Sequence, residues 1–182
     1  MREEEKLAGD VYAYFYDLWG NTVFQNIAAS EDMHTQSVLS LMNQFGISDT
    51  TSAEDGVFQI PELQTLYDQL TTQGSQSLQE ALMVGAAIEE IDILDLEKYI
   101  QQTENAEIRQ VYQNLAAGSE SHLQAFVRVL QNQGSEEYQP QYLSQEAYDQ
   151  IIQGSSMGNG NGRGLNGQGQ DQSQGQGQNR DS

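Results

Sequence analysis

Apolar residues recur at three- and four-residue intervals along four long stretches of the chain, the pattern of helices that bury one face. In the first stretch, from about Glu3 to Trp19, the stripe is Ala8, Val11, Tyr12, Phe15 and Trp19, and Gly20 ends it. Asn21 or Thr22 caps the second, whose Phe24, Ile27, Val38 and Leu41 lead to about Phe45 before Gly46 stops the helix. Residues 47–60 are polar and read as loop, and Pro61 suits the first turn of a short helix ending near Gln73. Beyond Gly74, Ser75 or Ser77 caps a third long helix to about Gln102, and Asn105 caps a fourth that reaches about Asn132.

The first and second long helices, and the third and fourth, are joined so tightly that each pair must form an antiparallel hairpin. About thirty residues separate the two hairpins, enough to carry the chain to the other end of a bundle. The expected fold is therefore all-α: a four-helix bundle over 1–133, with the single long crossover of the ferritin-like connection. Residues 134–153 form an extension whose Tyr142, Leu143, Tyr148, Ile151 and Ile152 can pack on the bundle as a small helix. Residues 154–182 are Gly, Gln, Asn and Ser with almost no apolar side chain, so they are expected to be disordered.

Certain polar residues fall on the apolar stripes. The second helix reads Phe24, Ile27, Glu31, His34, Val38, Leu41, which places a carboxylate and an imidazole one turn apart on the inner face. In the fourth, His122 interrupts Ile108, Val111, Leu115, Ala125, Phe126 and Val129. Glu89 and Asp92 continue the inner side of the third long helix, whereas Glu90 reads as part of a solvated face. Glu5 extends the face of Ala8 and Tyr12 on the first, with Glu4 as its substitute.

The inward set of Glu5, Glu31, His34, Glu89, Asp92 and His122 holds four carboxylates and both histidines of the chain. Buried charge of this kind needs compensation. Four negative charges balance two divalent cations, and oxygen-rich ligation with one imidazole per ion suits iron or manganese, with zinc as a substitute.

Composition narrows the classes further. With 27 acidic against 7 basic residues the formal charge is −20, which disfavours nucleic acid and anionic membranes as partners. No apolar run approaches the ~20 residues of a membrane-spanning helix. The absence of cysteine excludes thiolate metal sites, iron–sulfur clusters and cysteine nucleophiles. No signal peptide precedes the helical pattern, which begins almost at Met1; a soluble protein is expected, either cytoplasmic or exported after losing a leader.

The stretch Phe24–His34, with its Glu31-x-x-His34, resembles the second helix of ferritin-like proteins such as rubrerythrin, and Glu5, Ala8 and Tyr12 are similar to the rubrerythrin first-helix pattern. Glu3–Ala8, Asn26–Glu31, Ile88–Ile93, Gly118–Leu123 and Tyr142–Ser144 together resemble the ferritin-like family DUF2202, over about residues 3 to 152. The resemblance implies a carboxylate-bridged dimetal site reacting with dioxygen or peroxide. Glu31 and Glu89 would be bridges, Glu5 and Asp92 terminal ligands, and His34 and His122 one ligand to each metal. Tyr12 and Ser119 would stand behind the ligands. The usual second Glu-x-x-His is broken, because Ser119 occupies the position three before His122. Asp92 supplying the missing carboxylate from across the bundle, and a site with a single metal, both stay open. The partners expected are metal ions, a small oxidant and an external electron donor, with a homodimer left open. The competing readings are a metal-sequestering protein without turnover and a metal-free helical interaction module.

Overall fold

A computed structural model describes residues 1–134 and 137–158. Its elements are α1 (Arg2–Trp19), α2 (Thr22–Gln44), α3 (Pro61–Gly74), α4 (Leu78–Gln102), α5 (Ala106–Asn132) and α6 (Gln145–Gly158), with no strand among the described residues. The starts of α2, α4 and α5 follow from side-chain caps. Asn21 accepts from the backbone N–H of Val23, Ser77 from Glu80, and Asn105 from Glu107 and Ile108. Gly20 closes α1 at φ 65°, a left-handed conformation that costs glycine little, and its N–H returns to the Tyr16 carbonyl.

The four long helices form a ring of neighbours in the order α1, α2, α5, α4. Contacts run in opposite senses along neighbouring helices. Tyr12 meets Glu89, Gln44 meets Glu107, and Ser119 meets Asp92. Diagonal partners α2 and α4 therefore point the same way, and the chain between them must travel back along the bundle. The segment carrying α3 does so, with α3 packed on α1 and α4.

Apolar packing is divided along the bundle axis. At one end Tyr12, Phe15, Phe24 and Phe126 interlock, with ring centroids 5.2 Å apart for Tyr12–Phe126 and 5.4 Å for Phe15–Phe24. Each such ring contributes on the order of 2 kcal/mol by leaving water. At the other end a smaller cluster gathers Val38, Leu96 and Leu115. Between them, on α1, α2, α4 and α5, lie the carboxylates and imidazoles.

Three acidic side chains tie loops to the bundle. Glu3 accepts from the backbone N–H groups of Gln59 and Ile60, and Asp10 from that of Gly56. Glu90 corrects the sequence reading. It is 0% exposed, not solvated, and accepts from the Tyr138 hydroxyl and from the backbone N–H groups of Gln141, Tyr142 and Leu143. Burial of this carboxylate is tolerable because four donors replace its water.

The extension lies on the bundle through buried Tyr138, Leu143 and Tyr148, and α6 contacts α5. Tyr142 does not pack as expected. It is 55% exposed, since its backbone rather than its ring is what Glu90 holds. The α6 helix continues past the expected boundary at 153 to Gly158, and the expected disorder of the tail from 159 falls outside the described residues.

Candidate metal centre

Glu31 stands at the middle of the polar layer with its two oxygens facing different partners. Its Oε2 is 2.8 Å from His34 Nδ1, one turn along α2, and its Oε1 is 2.7 Å from His122 Nδ1 on α5. On the first side, His34 Nδ1 is also 3.2 Å from Glu5 Oε2 of α1. On the second, His122 Nδ1 is 3.5 Å from Glu89 Oε2 of α4. Two triads thus share one carboxylate: Glu5, Glu31 and His34, and Glu31, Glu89 and His122, each with ligand-type atoms within 4.8 Å of one another. The two imidazole rings lie 5.4 Å apart and 27° from parallel.

These atoms converge without satisfying one another fully. Glu5 Oε1, both Glu31 oxygens and His122 Nδ1 are buried, and although the His34 and His122 nitrogens stand 2.8 and 2.7 Å from Glu31, no well-aligned hydrogen bond reaches these four atoms among the described residues. Glu5, Glu31 and Glu89 are 1%, 2% and 1% exposed. Orphaned acceptors at such depth are costly. A cation at the point where they converge removes that cost, and oxygen plus imidazole nitrogen is the donor set of a transition-metal site. The residues present can hold a metal ion.

Without a cation the charges redistribute among the ligands. Burial pushes the Glu5 and Glu89 carboxyls up to about 7, with the Glu31 charge adding to the push. Burial would raise Glu31 as well, but the His122 and His34 imidazoles outweigh it and bring it down to about 2. Burial works against a charge on His34 and His122, yet their carboxylate neighbours, Glu31 foremost, raise both to about 10. Protons on the imidazoles take the place of metal charge in this state.

Asp92 is not in either triad. Ser119 Oγ donates to its Oδ2 at 2.5 Å, and its pKa is raised well above the ordinary value by burial and by the Glu5 charge. Asp92 is thus near the centre but turned toward α5, and Ser119, in the place of a second α5 carboxylate, is the residue that holds it. Glu4, the substitute for Glu5, pairs instead with the N-terminal ammonium of Met1.

Tyr12 donates from its hydroxyl to Glu89 Oε1 at 2.6 Å; burial and the Glu89 charge raise its pKa well above 10. It orients Glu89 through the oxygen that does not face His122. Two further residues escaped the sequence reading. Ser30 Oγ lies 2.9 Å from His122 Nε2 and so sets which ring nitrogen faces the cluster. Gly118 lies against His34. A Cβ there would stand 2.5 Å from His34 Nε2. A glycine in mid-helix was a signal that something approaches closely, whereas Ser30 carried none.

A helical bundle with a buried Glu/His cluster able to hold metal is the class that fold and site define. The chain belongs to the family described as "Uncharacterized protein domain (DUF2202)", whose profile matches residues 1–155. It is 48% identical over 157 residues to "Uncharacterized protein MJ0754" of Methanocaldococcus jannaschii, a match covering 86% of this chain and 84% of the relative. The crystal structure of that hypothetical protein superposes with a TM-score of 0.82, over 84% of this chain and 87% of the other.

Proposed function

We propose that this protein is a ferritin-like dimetal carboxylate protein whose centre takes two divalent ions, iron or manganese with zinc as a substitute, and reacts with dioxygen or peroxide. The observation that carries the reading is the shared carboxylate. Glu31 offers one oxygen to each of two neighbouring triads, each oxygen has an imidazole nitrogen within 2.8 Å, and neither receives a well-aligned hydrogen bond. In this reading Glu31 and Glu89 bridge, Glu5 is a terminal ligand, and His34 and His122 bind one ion each. Asp92 contributes the fourth negative charge beside the ions while Ser119 holds its carboxylate.

Bound iron or manganese supplies the redox equivalents that reduce the oxidant. The protein's own groups do the rest. Ser30 and Tyr12 fix ligand orientation, and the flanking apolar clusters limit water at the centre. Electrons come from an external donor, since a chain without cysteine has no thiolate-bound iron site to relay them.

The test is anaerobic loading with Fe(II) followed by peroxide or dioxygen. The expected result is oxidant consumption with a bleachable near-ultraviolet band, both missing in Glu31→Ala. Metal bound without oxidant consumption would replace this reading with sequestration, and no metal uptake would leave only an interaction bundle.

A further inference from the structure

Beside the polar layer, α1, α3 and α4 enclose a partly open cleft of about 120 Å³. Its outer wall is the Leu63, Leu66 and Leu70 stripe of α3, three side chains on one face that are only partly buried because they border this space. Leu7 and Ala8 of α1 and Ile88 of α4 form the floor, two or three residues along from Glu5 and one before Glu89. The polar lining is acidic throughout: Glu4, Asp92 and Asp95. Asp92 connects the two places, since it lines the cleft while its carboxyl feels the charge of Glu5 and Glu31.

We infer that this cleft is a binding site for a small, uncharged apolar molecule no larger than about benzene. Most of the lining is leucine, isoleucine and alanine, which favours an apolar occupant, and the three carboxylates among them repel anions. The size sets the limit: an engineered, closed apolar cavity of about 150 Å³ binds benzene or xenon, and this somewhat smaller cleft, open on one side, takes xenon and at most a ring of that size. Two sources share this chemistry. One is a dissolved gas such as dioxygen, and the other is a hydrocarbon-like part of an organic molecule. Occupancy itself does not need the metals. Only the further step, that the occupant is the co-reactant of the centre, rests on the dimetal reading.

The experiment uses the full chain with methyl-labelled Leu and Ile, both stripped of metal and loaded, titrated with benzene and separately pressurised with xenon. Saturable NMR shifts are expected at Leu7, Leu63, Leu66, Leu70, Ile88 and Ile91. Filling the cleft by Leu66→Trp, or by Ala8→Leu should that variant fail to fold, should weaken binding about tenfold or more. Shifts from both probes assign a substrate-sized site, and shifts from xenon alone assign a gas site. No saturable shift at these methyls, or shifts unchanged in both filled variants, would overturn the inference whether or not the protein binds metal.

Discussion

His34 is held in place by what is missing opposite it. Because a Cβ at Gly118 would fall 2.5 Å from His34 Nε2, Gly118→Ala must displace the imidazole from Glu5 and Glu31. A mid-helix Gly→Ala change ordinarily adds about 1 kcal/mol of helix stability. The expected outcome is therefore split: metal affinity falls about 10- to 100-fold, as when other supports of a ligand are lost, while the melting temperature of metal-free protein is held or raised. Isothermal titration with Mn(II) and thermal melts would read the two sides. The members of the two triads were legible in sequence because each lies on or extends an apolar stripe, as His122 does between Leu115 and Phe126. Asp92 sits on the same inner stripe but bonds to Ser119, because a shorter acid on α4 meets the hydroxyl before it meets the triads. Periodicity reports the face of a helix, not the reach of a side chain.

At the scale of elements, Glu90 makes a distinct prediction. Its carboxylate gathers one hydroxyl and three backbone N–H groups from residues 138–143, and so joins the extension to α4. Glu90→Ala leaves those donors buried without an acceptor, at a cost of about 2–4 kcal/mol. Hydrogen exchange should rise across 138–152 with little change around Glu31, His34 and His122 on α2 and α5, whereas a uniform rise along the chain would deny the clamp. The six helices were nearly all readable, since Asn21, Ser77 and Asn105 announce their starts and Gly20 an end. The loop anchors were not. Glu3, Asp10 and Glu90 bond to backbone groups about fifty residues away, a relation that leaves no period in the sequence.

For the whole molecule, the cluster ties stability to pH in opposite ways with and without metal. Glu5 and Glu89, raised from about 4.5 to about 7, stabilise the metal-free fold at low pH and stop doing so as pH rises through 7. His34 and His122, raised to about 10, contribute fully below about 6.5 and lose that contribution as pH rises through 10. Glu31, lowered to about 2, opposes this only in acid, where its contribution disappears as pH falls from about 4.5 through 2. The melting temperature of metal-stripped protein should therefore fall between about pH 5 and 9. Added Mn(II) should offset more of that fall at higher pH, because ligands must shed protons to bind. Melts with and without Mn(II) that run parallel across this range would show that the metal does not compete with these protons.

On the dimetal reading, two cations sit between Glu31 and its neighbours. Elemental analysis of freshly purified protein, with anomalous scattering from its crystals at the metal edge, tests it most directly. The expected result is two ions per chain, one bordered by Glu5, Glu31 and His34 and the other by Glu31, Glu89 and His122. Protein that stays free of metal under excess Fe(II) or Mn(II), or ions found only on the acidic surface, would contradict it.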